Sequence, residues 1–277
     1  MKWNIICDSS CDLFLEERTV ESVFYSSVPF LLNVGDVTFY DDENLNTKAL
    51  VNSMKDSKTV SHTACPSPLS WLERMIPDGN NICVTISKNL SGSYDSAVTA
   101  AKMLWEEHPE TNIAVIDSCA TGPAAVLAVR KVTQLIENGK PFGQIVSETE
   151  SYISQVNTCF ALASFDNLVK SGRISKLSGV LAKTLELWGI GVQTDGKIAV
   201  KAKTRGKKRA LSALINTMKE NGLCGGEVVI CHCRNITMAH KLSEEIKSVW
   251  SEVHVTILPT RGLNSYYAED GGIIVSY

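Results

Sequence analysis

Three polar segments follow predicted strands and carry hydroxyl and carboxylate groups that suit ligand binding. They are Asp8-Ser9-Ser10, Ser91-Gly92-Ser93 and Asp117-Ser118. In a wound parallel sheet, the segments that follow the strands gather at the carboxyl edge, which is where ligands bind. We therefore expect these three segments to meet at one site.

The Ser91-Gly92-Ser93 segment leads into a predicted helix over residues 95–105. A helix start presents free N–H groups and a partial positive charge, which suit a phosphate or a carboxylate. Glycine lets a ligand approach the backbone, and the serine hydroxyls add donors. The alternative is simple helix capping, since serine and aspartate are common at helix starts.

Catalytic signatures are absent from the sequence. Thr63 lies in a predicted loop over residues 60–68 and supplies another hydroxyl, while Cys65 in the same loop has no identifiable histidine-plus-acid partner. There is no nucleophile elbow, P-loop or dinucleotide-binding glycine motif. Cys231, His232 and Cys233 are neighbours in a predicted strand, so they point to opposite faces and do not form a zinc-like cluster. The sequence predicts an anion site with no catalytic residue, metal or cofactor.

The elements that must position this site indicate an α/β protein. The length of 277 residues favours two domains. Residues 1–155 alternate strand and helix, which predicts a wound, mostly parallel sheet with flanking helices. Residues 156–277 mix crossovers with hairpins, such as the Asp195-Gly196 turn, which gives this half an α+β character. We expect the ligand to lie between the two domains.

Composition and charge indicate which partners are expected among nucleic acids, other anionic molecules and membranes. The net charge of −3 gives no reason to expect a nucleic acid partner. A predicted loop over Lys201–Arg209 holds six cations in nine residues, which is either a solvated surface or a contact for an anionic partner. The start of the chain lacks the pattern of a signal peptide, and no apolar run reaches the length of a transmembrane helix. We expect a cytoplasmic protein.

Several segments together resemble the DegV family, and their order and approximate spacing hold from residue 5 to about residue 215. The matching segments are Asp8-Ser9-Ser10 with Asp12-Leu13, Thr63-Ala64-Cys65-Pro66-Ser67-Pro68, Leu90-Ser91-Gly92-Ser93-Tyr94, Val115-Ile116-Asp117-Ser118, Phe165 to Ser175, and Arg205-Gly206-Lys207-Lys208 with Ala210.

The resemblance implies a non-enzymatic protein that binds a long-chain fatty acid in a tunnel between two α/β domains. The carboxylate would be held by Thr63, by Ser93 and by the backbone at Gly92-Ser93. Bacterial members of this kind present the acyl carboxylate to a fatty acid kinase subunit, which makes acyl-phosphate for phospholipid synthesis. Transient membrane contact is compatible with this role. The residues expected near the site or the docking face are Ser9, Ser10, Cys65, Arg173 and Arg205.

The chain departs from the family pattern at three places. Ala64-Cys65 stands where the family has Ser-Gln, and only one glycine precedes Arg173. The family usually ends with a histidine that helps to hold the carboxylate, and Tyr267 falls nearest that position here. A tyrosine hydroxyl replaces the hydrogen bond but not a titratable cation.

Two alternative functions remain open from the residues alone. One is an enzyme or carrier that acts on a small carboxylated or phosphorylated metabolite at the same segments. The other is a regulatory module that acts through the basic residues 201–209, for which salt-sensitive binding to nucleic acid would be the signature.

Overall fold

The computed structural model describes residues 2–14, 23–57, 59, 61–175 and 186–277. The strands in these ranges are β1 Lys2–Asp8, β2 Val23–Val28, β3 Leu31–Val34, β4 Val37–Tyr40, β5 His62–Ala64, β6 Gly79–Thr85, β7 Asn112–Asp117, β8 Thr158–Leu162, β9 Leu187–Thr194, β10 Lys197–Arg205, β11 Gly226–His232, β12 Val253–Pro259 and β13 Ile273–Ser276. The helices are α1 Thr47–Asp56, α2 Pro68–Leu72, α3 Ser93–Glu107, α4 Pro123–Glu137, α5 Phe142–Ile153, α6 Asp166–Lys170, α7 Lys207–Glu220, α8 Ile236–Val249 and α9 Gly262–Ala268. Within the described ranges, no helix combines the length and the hydrophobicity needed to cross a membrane.

The first sheet is parallel throughout and has the strand order β2-β1-β6-β7. Every residue of β6 is buried, and β1 is buried from Asn4 to Asp8. Such continuous burial is expected when a parallel sheet is covered on both faces. The wound parallel sheet predicted for the first half of the chain is confirmed.

A small antiparallel sheet, β4-β3-β5, lies beside the first. The prediction of a loop over residues 60–68 was wrong at residues 62–64, because their backbone pairs with β3 and forms β5. Thr63 stands opposite Leu32 in this pairing. Its hydroxyl is therefore held by a strand, not by a loop.

The second sheet is mixed and has the order β10-β9-β8-β13-β11-β12. Only β11 and β12 pair in parallel, and the other neighbouring strands are antiparallel. Asp195 and Gly196 join β9 to β10 with φ values of 50° and 72°. Positive φ at both central residues is what a type I′ hairpin requires, so the predicted Asp-Gly turn and the mixed character of this half are confirmed.

Helix α4 lies between the two sheets and joins their cores. It is apolar, with ten of its fifteen residues buried, and it contacts strands β1, β6, β11 and β13. One cluster of buried side chains accordingly contains Ile5 and Ile82 of the first sheet, Val129 of α4, and Val229 and Leu258 of the second. The predicted division between residues 155 and 156 falls in the short connection from α5 to β8, and it stays a prediction.

Two other segments differ from expectation. The basic residues 201–209 do not form a loop, because β10 continues to Arg205 and α7 begins at Lys207. β10 is an edge strand, so its cations reach solvent while its backbone remains paired on one side.

Helix α9 was not predicted from the sequence. The helix predicted over Lys176–Leu187 falls on residues 176–185, outside the described residues, and Leu187 begins β9.

Candidate functional site

The three polar segments meet at the carboxyl edge of the first sheet, as predicted. The backbone N–H of Gly122 donates to Ser10 O at 2.8 Å, and Ser87 N donates to Ala120 O at 2.8 Å. These bonds join the segment after β1, the segment after β6 and the segment after β7. A second set of bonds, centred on Asp8, connects the first two.

The carboxylate of Asp8 accepts four hydrogen bonds at this edge. Oδ1 accepts from Ser10 N at 3.2 Å and from Ser10 Oγ at 2.5 Å, while Oδ2 accepts from Ile86 N at 3.0 Å and from Ser93 Oγ at 2.7 Å. Asp8 has no exposed surface. Burial raises the pKa of the Asp8 carboxyl above its usual range, while the bonds from Ser10 and Ser93 lower it. Asp8 therefore fixes the start of α3 relative to β1.

Helix α9 is fixed by two more buried carboxylates. Asp41 accepts from Gly262 N at 2.8 Å and from Leu263 N at 2.7 Å. Asp12 accepts from Arg261 N at 2.7 Å and from Asn264 Nδ2 at 3.0 Å. Burial raises the pKa of the Asp12 carboxyl to about 7, while the bonds from Asn264 and Arg261 lower it.

A cavity lies beside α9, between segments that follow strands of the first sheet and the strands of the second sheet. Little space remains between its walls, so the cavity is a narrow slot. The apolar residues lining the slot are Phe30, Ile86, Leu90, Phe160, Leu162, Leu168, Ile198, Leu263, Ala268 and Ile274.

Thr63, Ser91, Arg173 and Tyr267 lie near one another in the slot lining, and we call this group the donor end. Thr63 Oγ1 and the Tyr267 hydroxyl are 2.9 Å apart, and one of the two donates to the other. Two hydroxyls that share one bond retain one proton for a further acceptor. Within the described residues, the proton of the Ser91 hydroxyl has no acceptor, although Ser91 Oγ accepts from Ser93 N at 3.3 Å.

Arg173 supplies the positive charge of the donor end. Its Nε donates to Leu90 O at 3.3 Å and its Nη1 to Ser171 O at 2.9 Å. These bonds use two of the five N–H donors of a guanidinium group. The guanidinium carbon lies 5.8 Å from the centre of the Tyr267 ring, within cation–π distance. The donor end thus offers a fixed cation and free hydroxyl protons to an anion.

The other polar side chains in the slot are already bonded to the protein. Thr121 Oγ1 donates to Asn264 Oδ1 at 2.7 Å, and Asn264 Nδ2 donates to Ser10 O and to Asp12. The Thr158 hydroxyl pairs with Ser276 Oγ at 2.8 Å, and Gln193 Nε2 donates to Cys119 O at 2.7 Å. These four side chains are neutral and the remaining residues away from the donor end are apolar, so this part of the slot suits a hydrocarbon.

Thr63, Tyr267 and Arg173, which were predicted site residues, line the slot. Ser93 is fully buried, and its hydroxyl donates to Asp8. Gly92 is exposed at the start of α3, where an added Cβ would lie 3.6 Å from Cys65 Sγ. Cys65 is also exposed. The predicted carboxylate contacts of Thr63, Gly92, Ser93 and Tyr267 stay predictions.

The remaining predicted residues lie away from the slot lining. Ser9 is fully buried, and its Oγ accepts from Phe30 N at 3.0 Å. Ser10 is fully buried against Asp8. Arg205 is exposed at the end of β10, in register with Leu187. Ser9 and Ser10 support the backbone around the site, whereas Arg205 belongs to an exposed surface.

The roles of Ser91 and Asn264 were not predicted from the sequence. Ser91 lies in the same Ser-Gly-Ser segment as Ser93, and no sequence signal indicated which of the two serines faces the cavity. Asn264 lies in α9, a helix of seven residues whose start is held by Asp12 and Asp41 from distant parts of the chain. Such contacts leave no local pattern in the sequence.

Comparison with known proteins gives one consistent family. A family model described as an uncharacterised protein of the DegV family matches residues 2–277. A DegV domain-containing protein of Streptococcus gordonii is 37% identical over 278 residues, covering 100% of this chain and 99% of that protein.

Two solved structures extend the likeness to three dimensions. The Streptococcus pneumoniae Fatty Acid Kinase (Fak) B3 protein loaded with linoleic acid is 36% identical, with a TM-score of 0.96 over 100% of this chain and 99% of that one. A DegV family protein from Eubacterium eligens loaded with heptadecanoic acid is 33% identical, with a TM-score of 0.94 over 99% and 98%. Since the family model and these relatives span essentially the whole chain, the resemblance found in the sequence is confirmed and the chain belongs to the DegV family.

Proposed function

We propose that this protein binds a long-chain fatty acid in the slot, with the carboxylate at the donor end and the hydrocarbon chain along the apolar walls. One observation carries the proposal: Arg173, the single charged side chain among the described residues that line the slot, lies together with the hydroxyls of Thr63, Ser91 and Tyr267, whereas ten of the other lining residues are apolar. This arrangement matches a molecule with one anionic end and a long apolar remainder.

Chemistry and likeness both support a binding role. The described residues that line the slot include no carboxylate, imidazole or thiol that would act as a general base or nucleophile. The related structures from S. pneumoniae and E. eligens hold linoleic acid and heptadecanoic acid. Burial of about fourteen methylenes at about 0.8 kcal/mol each gives roughly 11 kcal/mol before the costs of binding, so slow release is expected.

We further propose that the protein presents the bound carboxylate to a partner. The likeness to the Fak B3 protein supports presentation of the carboxylate to a fatty acid kinase subunit. Arg173 is only partly buried at the donor end, so a partner has access to that side of the site. Docking through Arg173 and Arg205, transient membrane contact and a cytoplasmic location stay predictions.

Denaturing extraction followed by mass spectrometry tests the binding role. We expect the purified, folded protein to release a C14–C18 fatty acid in an amount close to one molecule per chain. A folded protein that yields no lipid would contradict the proposal. Displacement of the bound ligand by a small phosphorylated or carboxylated metabolite, with no lipid found, would instead favour the alternative enzyme or carrier.

Replacing Arg173 with glutamine is expected to weaken fatty acid binding by about 10- to 100-fold. A hydrogen bond to a charged group contributes about 1.5–3 kcal/mol, and glutamine has no positive charge. Affinity would be measured by titration of the delipidated protein with a fluorescent fatty acid. The matched control is Arg205→Gln, which removes an exposed arginine outside the slot lining and should bind normally. Equal affinities for the two variants would place the carboxylate elsewhere.

A further inference from the structure

One wall of the slot is a face of the second sheet. Alternate residues of β8, namely Thr158, Phe160 and Leu162, line the slot, as expected for a strand whose side chains alternate between faces. Ile274 of β13 stands opposite Phe160 and lines the slot as well. Phe160 is the largest side chain in this wall.

The ring of Phe160 lies on a glycine of the next strand. Gly191 of β9 is the register partner of Phe160. A Cβ added at Gly191 would lie 2.1 Å from Phe160 Cζ and 2.3 Å from Cε2, far inside van der Waals contact. The ring therefore occupies the volume that any other side chain at residue 191 would take. It is recessed against the sheet and does not stand out into the slot.

A second phenylalanine shows the same packing without lining the slot. Phe165 lies on Gly189, where an added Cβ would be 2.3 Å from Phe165 Cζ. Phe165 is fully buried, and its ring meets the Phe160 ring edge-on at 6.2 Å between centroids. The rings of Phe165 and Phe160 thus pack in the same way on Gly189 and Gly191, and of the two phenylalanines only Phe160 lines the slot.

Phe160 stands partway along the slot. Leu162 is next to the donor end, because its side chain and that of Ala268 both crowd Gly272, and Ala268 follows Tyr267 in α9. Thr158, paired with Ser276, lies at the opposite end of β8. At about 3.3 Å per residue, Phe160 is about 7 Å beyond Leu162 in the direction away from the donor end.

We propose that Phe160, recessed on Gly191, is the specificity-determining residue that admits the distal part of a long acyl chain. The inference rests on the proposed fatty acid binding. A chain anchored at the donor end passes Leu162 and must then cross the Phe160 ring to reach Thr158. A ring raised toward the cavity would exclude the terminal methylenes of a C18 chain, whereas a C12 chain would still fit.

The test compares affinities for C12 and C18 fatty acids in delipidated variants. Gly191→Ala pushes the Phe160 ring into the slot and should lower the C18-to-C12 affinity ratio by about tenfold or more, since the excluded methylenes are no longer buried. Gly143→Ala adds the same methyl group in α5, where nothing lies within 4 Å of it, and should leave the ratio near that of the parent. Circular dichroism would establish that the variants are folded.

If Gly191→Ala does not fold, the Phe160→Leu variant tests the role of Phe160 in chain-length preference. Removing the ring should widen the slot beyond Leu162 and raise the affinity for C20 or cis-unsaturated chains relative to C12 by several-fold. An unchanged chain-length profile in Phe160→Leu would overturn the inference. Failure of the proposed function looks different, because the parent protein itself would then bind neither C12 nor C18.

Discussion

Replacing Asp8 with alanine is expected to lower the free energy of unfolding by about 2–4 kcal/mol. Asp8 has no exposed surface, and it accepts bonds from the backbone N–H groups of Ser10 and Ile86 and from the hydroxyls of Ser10 and Ser93. The substitution leaves these buried donors without an acceptor, and each unsatisfied group costs about 1–3 kcal/mol. The loss would be measured by urea unfolding followed by circular dichroism.

A graded pair of controls separates hydrogen bonding from charge. Asp8→Asn keeps one oxygen acceptor and should lose less stability than Asp8→Ala. Asp56→Ala removes an exposed aspartate at the end of α1 and should change the free energy of unfolding by less than about 0.5 kcal/mol. Similar stabilities for Asp8→Ala and Asp56→Ala would show that Asp8 does not organise this edge of the sheet.

The Asp12→Asn variant is expected to gain stability relative to the parent as the pH rises from about 5 to about 8. Burial raises the pKa of Asp12 in the folded protein to about 7 from the ordinary value of 3.8. The folded state therefore holds a proton between these values that the unfolded state has released. The stability supplied by this proton is complete below the unfolded pKa and is lost as the pH rises through the folded pKa.

The size of the effect follows from linkage. Between pH 5 and pH 7 the parent should lose up to about 1.4 kcal/mol of stability per pH unit through Asp12, or about 2–3 kcal/mol in all. Burial also raises the pKa values of Asp8 and Asp41, so the parent alone does not isolate Asp12. The contribution of Asp12 is isolated by the difference in free energy of unfolding between parent and variant, measured by urea unfolding at each pH. If this difference in free energy of unfolding stays constant from pH 5 to pH 8, the pKa of Asp12 is not raised in the folded protein.

The sequence predicted the features of the fold that leave a local pattern. The apolar residues Ile82 to Val84 of β6 and the Asp195-Gly196 turn are local patterns, from which a buried strand and a hairpin can be predicted. Strand β5 was not predicted because its pairing is not local: Thr63 stands opposite Leu32, which is 31 positions away in the chain. Helix α9 was missed because its start is held by Asp12 and Asp41, which no local capping pattern reveals.

The site was predictable in outline and not in detail. Polar residues after parallel strands were expected to converge, and hydrogen bonds between the three segments confirm that they do. The role of each serine was beyond sequence reasoning, because Ser91 and Ser93 differ only in the direction of their side chains at the start of α3. Tyr267 lines the slot beside Thr63, and that pairing joins residues 204 positions apart.

Helix α4 has a consequence for the energetics of ligand capture. Two domains joined by a small polar interface are free to hinge, but both sheets here are packed against one buried helix. A hinge motion that separated the two sheets would expose the buried residues of α4 to water. The slot is therefore preorganised, and a ligand does not spend part of its interaction energy on closing the protein around itself.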